Sequence, residues 1–250
     1  MPRAERLETA VFHAGVLPDE AVLLIAMVPP VVAGLLLFRL PALLTLVIAL
    51  AAGGAVWLLA RIARWPGAAA LFLSSLLAVA LLGGGASPVL VIAIALLAAV
   101  LQLVRSRFAR ALRIEPALVA FAAALVAVRS RAMGYLVPFT AHPAQEPVRV
   151  WLAGARHAAP PDDLFALYVG NVPGPVFATS LLAVCISAAW LWHARRLSLL
   201  ALAGFAAGAL AAILFWRWPI AFSLDSGPLW FGGALLLAPA PLLPRRWYLH

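Results

Sequence analysis

GNVPGPVFATSLLAVCISAAWLW, from Gly170 to Trp192, opens on two glycines and two prolines, then runs on as an unbroken apolar segment. Gly170, Pro173, Gly174 and Pro175 predict a non-helical turn. Glycine gives up the most conformational freedom in a helix, and proline there lacks a donor and clashes with the preceding turn. Thr179 and Ser180 follow at the mouth of the predicted helix, where small hydroxyls can satisfy backbone groups. A turn that feeds a charge-free apolar helix belongs to a membrane protein. Five apolar segments and one long polar loop precede this stretch, and two more apolar segments follow it.

Composition gives the same class. Hydrophobic residues make up 66% of the 250, charged residues 11%, and mean hydropathy is +1.05. A soluble domain carries roughly 45–50% apolar and about 25% charged residues. The net charge of +9 comes entirely from arginine, since the chain has no lysine. These arginines cluster at the ends of apolar segments rather than along one stripe, which fits topology marking and not nucleic-acid binding. Cys185 is the single cysteine, which excludes an intrachain disulfide and a Cys-only metal or iron–sulfur site. Residues 1–20 hold Glu5, Glu8, Asp19 and Glu20 with no apolar core, so no cleavable leader is expected.

A span takes about 20 mostly apolar residues. On that scale the sequence predicts an all-α, polytopic integral membrane helix bundle of about eight spans, at roughly 21–38, 42–60, 67–83, 88–104, 115–128, 174–193, 198–216 and 228–243. Pro29-Pro30 predicts a kink or break in the first, and Arg39-Leu40-Pro41 a tight turn into the second. The fifth, ALVAFAAALVAV after Glu115-Pro116, is short enough to be a half-span. One membrane domain covers 1–250, divided into an N-terminal segment 1–20, a first helical half 21–128, a loop 129–163 and a second half 164–250.

With both termini on one face, that face holds Arg3, Arg6, Arg61, Arg64, Arg105, Arg107, Arg110, Arg113, Arg195, Arg196, Arg245 and Arg246. The opposite face keeps Arg39, Arg129, Arg131, Arg149, Arg156 and Arg217, four of them in the one long loop. The positive-inside rule then predicts cytoplasmic termini and an external loop 129–163.

Ionisable groups at membrane depth are scarce. Glu115 reads as an interfacial ion pair with Arg113 or a neighbour, His193 as a surface residue, and Asp225 as a turn cap. The outer loop holds Thr140, His142, Glu146, His157, Asp162 and Asp163, but at no zinc spacing. A lipid-acting enzyme would have only His142, His157 and Asp163 behind it. No nucleophile elbow, dinucleotide fingerprint or P-loop occurs. Gly53-Gly54, Gly204 with Gly208, and Gly232-Gly233 predict close helix packing or cavity lining.

These features in order resemble the RnfD/NqrB family, the related membrane proteins of the Rnf electron-transport complex and of the sodium-pumping NADH:quinone oxidoreductase. The match is gap-free over Gly170, Gly174, Phe177-Ala178 and Thr179-Ser180, with Phe177-Ala178 standing where that family has Gly-Glu. Glu115-Pro116-Ala117-Leu118 is similar to the family's Asn-Pro-Ala and following apolar residue. Leu229-Trp230-Phe231-Gly232-Gly233-Ala234 is similar to its Leu-Ser-Gly-Gly helix start, although Ala238-Pro239-Ala240-Pro241 lacks the later Asp.

The resemblance implies a shortened, divergent component of a bacterial inner-membrane redox complex, in contact with lipid and partner subunits and coupled to ion movement. It also implies flavin mononucleotide (FMN), joined through its phosphate to a threonine in a motif whose nearest local text is Thr140-Ala141-His142-Pro143. There His142 occupies the acceptor position and Thr140 is the other hydroxyl. The cofactor-binding residues so implied are Thr140, His142, Gly170, Gly174, Thr179, Ser180, Gly232 and Gly233. The alternative is a non-redox transporter or assembly protein that kept the scaffold and lost the cofactor.

Overall fold

Proline and glycine decide where helices start and stop in this chain. In the computed structural model, which describes residues 17–63, 68–108, 114–145 and 164–239, α1 (Asp19–Ala26) and α2 (Val28–Phe38) part only at Met27. Pro29 and Pro30 have no N–H to donate to the carbonyls one turn back. Met27 nonetheless keeps helical angles (φ −77°, ψ −14°), so Asp19–Phe38 runs as a single 20-residue apolar stretch. Arg39, at φ 49°, reverses the chain into α3 (Leu40–Ile62).

Next come α4 (Ala68–Ala80), α5 (Pro88–Phe108) and α6 (Pro116–Ala132), the last kinked at Val128. A short antiparallel pair, β1 (Tyr135–Leu136) with β2 (Pro143–Ala144), leads to α7 (Leu164–Val169). The second half holds α8 (Leu181–His193), α9 (Leu199–Phe215), α10 (Ile220–Leu224) and α11 (Gly227–Phe231), which continues as a π-helical turn over Gly232–Leu237.

The protein is therefore mostly helical, and three helical stretches are long and apolar enough to cross a membrane: Asp19–Phe38, Leu40–Ile62 and Pro88–Phe108. Shorter apolar helices at Ala70–Ala80, Pro116–Val128, Leu181–His193, Leu199–Phe215 and Gly227–Leu237 occupy the places of the other five expected segments. One boundary differs clearly. Helix was expected from 174, but α8 begins only at Leu181, because the backbone before it is used to bind two other non-helical segments.

α3, α4, α5 and α6 pack on one another through small residues, with Ala49, Ala52, Ala95, Ala98 and Ala120 buried. Alanine lets helix backbones approach closely where lipid tails offer no hydrophobic drive. α8 is the centre of the second half, touching α1, α2, α7 and α11. α9 stands apart, with Ile213 its one buried residue and Phe215 78% exposed. Large side chains such as Leu59, Ile62, Leu200 and Leu214 are also exposed. Apolar surface on that scale needs a non-aqueous neighbour, and a bilayer supplies one.

Candidate functional site

Three non-helical segments meet where α4 stops and α8 starts. Strand-like bridges join Gly83 to Pro175 and Leu136 to Gly174. Val176 N–H donates to the Leu82 carbonyl at 2.9 Å and Phe177 N–H to Ala80 at 3.2 Å, while Gly83 and Gly85 N–H donate to Ala132 and Gly134. Backbone removed from water has to satisfy its polar groups within the protein. These crossed segments satisfy one another, which is why 170–180 stays non-helical.

Four of the expected site residues are brought together here. Gly170 has φ +93°, and a Cβ on it would lie 2.7 Å from Ser180 Cα. A Cβ on Gly174 would meet the Thr179 side chain at 3.1 Å. Thr179 Oγ1 donates to the Pro175 carbonyl, and Ser180 Oγ accepts from Ala183 N–H at 3.2 Å, capping α8. Gly170, Gly174, Thr179 and Ser180 are all buried. Every polar contact of the two hydroxyls is spent on the local backbone, so the arrangement is structural in its chemistry.

The turn is also full. Val176, Phe177 and Ala178 are at most 2% exposed. A Cβ on Gly34 of α2 would run into the Val176 carbonyl and lie 2.5 Å from the Phe177 ring. Gly227 presses as closely on the Ala178 and Thr179 carbonyls. Gly34 and Gly227 were not singled out from sequence. Ser226-Gly227-Pro228 is a readable turn signal, but nothing in it reveals the partner. A flavin ring does not fit within this turn, because Phe177 fills the ground between it and α2.

The remaining expected residues lie elsewhere. Gly233 packs under the Phe205 ring of α9 and Gly232 has nothing within 4 Å of its Cβ position, so Gly233 belongs to the α9 contact and neither glycine to the turn. Gly204 and Gly208 likewise face open space. The expected close helix packing through them is absent among the described residues. Thr140 and His142 sit exposed on the hairpin between β1 and β2. The base of that hairpin reaches the turn through Leu136, and Phe139 N–H donates to Leu37 at 2.8 Å.

Beside the hairpin, Phe38, Arg39, Leu40, Pro41, Leu136, Val137, Phe139 and Ala141 line an apolar recess of about 190 Å³. The Arg39 guanidinium lies 5.8 Å from the Phe139 ring centre. Thr140 thus offers a reachable hydroxyl, and Arg39 a cation near it. Glu146, His157, Asp162 and Asp163 lie outside the described residues. His193 is exposed at the end of α8, and Asp225 follows α10 as its cap, as expected of surface and turn positions. No family model matches this chain, and no curated protein matches it.

Proposed function

We propose that the chain is a membrane component of an electron-transport complex of the RnfD/NqrB type. In this reading it is a multi-pass protein of the bacterial inner membrane, with eight membrane segments, both termini cytoplasmic and a role beside ion movement. The observation that supports it is the turn from Gly170 to Ser180. The stretch over which the resemblance runs without a gap is also the one where three non-helical segments cross and α8 begins.

A bound flavin supplies the electron chemistry, and the protein supplies attachment and orientation. Since the turn is filled, the place for FMN in this reading is the outer hairpin. Thr140 provides the hydroxyl for the phosphate and Arg39 a nearby positive charge. Purification from native membranes in mild detergent tests this. The expected result is co-purifying flavoprotein and iron–sulfur subunits, with flavin that stays on the denatured wild-type chain and is missing from Thr140→Ala. Recovery of the chain without redox partners or flavin would overturn the proposal.

One contact favours a second reading, a non-redox transport or assembly protein. Phe177 stands where the resembled family has glycine, and its ring is packed against Gly34. On that reading deletion causes an uptake or assembly defect, and flavin is absent from every fraction.

A further inference from the structure

At the end of the bundle opposite Arg39, a cavity of about 120 Å³ opens between α1, α4, α5 and the start of α6. Its polar lining is Asp19, Glu20, Ser74, Gln102, Arg105 and Glu115, over an apolar floor that includes Leu73 and Leu77. Glu115 is the buried carboxylate, its side chain 12% exposed. Its two side-chain partners are both distant: Ser74 Oγ donates to Oε1 at 3.3 Å and Arg105 Nη1 approaches Oε2 at 3.5 Å. The Ala117 backbone N–H is a third donor to it; a carboxylate offers about four acceptor positions, so acceptor capacity is left over.

Gln102 adds an independent sign. Its Oε1 exposes less than 1 Å² and has no hydrogen-bond partner. A buried carbonyl oxygen without a donor costs about 1–3 kcal/mol, and such a group calls for a ligand or water to satisfy it.

Charge defines the kind of donor. Three carboxylates, Asp19, Glu20 and Glu115, line the cavity together with the Arg105 guanidinium. Arg196 Nη2 binds Asp19 at 2.9 Å, so among the described residues these groups carry one formal negative charge in excess. Among the described residues no three carboxylate, imidazole or thiol groups converge to hold a metal ion. Directional bonds to a few acceptors suit a different guest.

We propose that this cavity binds a small, hydrogen-bond-donating monovalent cation between Glu115 and Gln102, with Glu20 drawing it in at the mouth. Hydronium and ammonium are the two sources of that chemistry. The site stands apart from the redox reading and does not depend on it.

Ligand-induced thermal shifts on the purified full chain, in neutral-lipid nanodiscs, provide the test. Ammonium chloride is compared with sodium chloride and tetramethylammonium chloride at equal ionic strength. Infrared difference spectra on acidification follow the C=O stretch of a protonated carboxyl.

The expected result is stabilisation by ammonium alone, or a new carboxyl band without an ammonium effect, which would mean that hydronium gives its proton to the Glu115 carboxylate and leaves a water to donate to Gln102; absence of both signals would overturn the proposal. Either signal is expected to vanish in Glu115→Gln. In Gln102→Leu the concentration or acidity needed should rise at least about tenfold. In Glu20→Gln, which removes a half-buried charge and keeps the side chain's size, the apparent affinity should fall by a smaller factor that shrinks further with salt. Should Glu115→Gln fail to fold, the other two variants decide the matter. Equal stabilisation by sodium, or signals unchanged in Gln102→Leu and Glu20→Gln, would overturn the proposal.

Discussion

Gly170 and Gly204 are the same residue type in two opposite situations. Gly170 sits at φ +93° with Ser180 backbone atoms 2.7–2.8 Å from where a Cβ would go, and backbone cannot swing aside as a side chain can. Gly170→Ala should cost at least about 1–3 kcal/mol, the usual penalty of a non-glycine residue held in such a conformation. Gly204 and Gly208 lie inside α9 with nothing within 4 Å. Alanine at either should stabilise by about 0.5–1 kcal/mol through helix propensity. Thermal unfolding in detergent reads both. A loss of stability at Gly204→Ala would show that its face is covered by something the isolated chain lacks. Ser180→Ala removes the cap of α8 and should cost about 0.5–2 kcal/mol by the same measurement. From sequence, Gly170 was legible as a turn because two prolines follow closely. The GxxxG pattern on α9 was misleading, because spacing on a helix says nothing about which element, if any, lies against it.

Elements were legible wherever hydropathy alone fixes them, and less so where tertiary hydrogen bonds compete. The 13-residue α4 and α8 each rise about 20 Å, short of a hydrocarbon core of about 30 Å. The missing length is the crossed backbone of 81–87 and 170–180. No local signal separates Val176–Ala178 from the helix that follows, since valine, phenylalanine and alanine suit a membrane helix as well as a buried turn. Glu115 shows a related limit. An ion pair with Arg113 or a neighbour was expected from its position; Arg113 lies outside the described residues, and among those described the ion pair is with Arg105 on α5, joined by Ser74 of α4, a contact across helices that leaves no trace in spacing.

α8 is also held to the first half by one specific bond. Trp190 Nε1 donates to the Val22 carbonyl of α1 at 3.1 Å. Trp190→Phe keeps most of the aromatic packing and removes the donor. It should destabilise the folded chain by about 0.5–1.5 kcal/mol, the usual net worth of one hydrogen bond, since the Val22 carbonyl keeps its bond within α1. A variant as stable as the wild type in chemical or thermal unfolding would mean that packing alone holds α8 to α1.

At the scale of the whole molecule, the structure sorts its charges by end. Asp19, Arg105, Glu115 and Arg196 meet around one cavity and its rim. Arg39 lies at the far end of the 20-residue stretch Asp19–Phe38, about 30 Å away at 1.5 Å per residue. Pro239 lines the same cavity as Asp19, so the first and last described segments share an end. The arginine count predicts a cytoplasmic location for that end, because short loops rich in arginine resist translocation.

Sidedness can be read chemically. Cys185 is the single cysteine, exposed on an apolar helix, and Cys185→Ser gives a background free of thiols. On that background Thr140→Cys and Glu20→Cys place one thiol on each side of the expected membrane. In sealed right-side-out vesicles, a membrane-impermeant maleimide should label Thr140→Cys at once and Glu20→Cys only after permeabilisation. The reverse order would invert the orientation while leaving the spans intact. Labelling of both positions from the same side would contradict the roughly 30 Å that Asp19–Phe38 puts between them, and with it the reading of that helix as a full crossing.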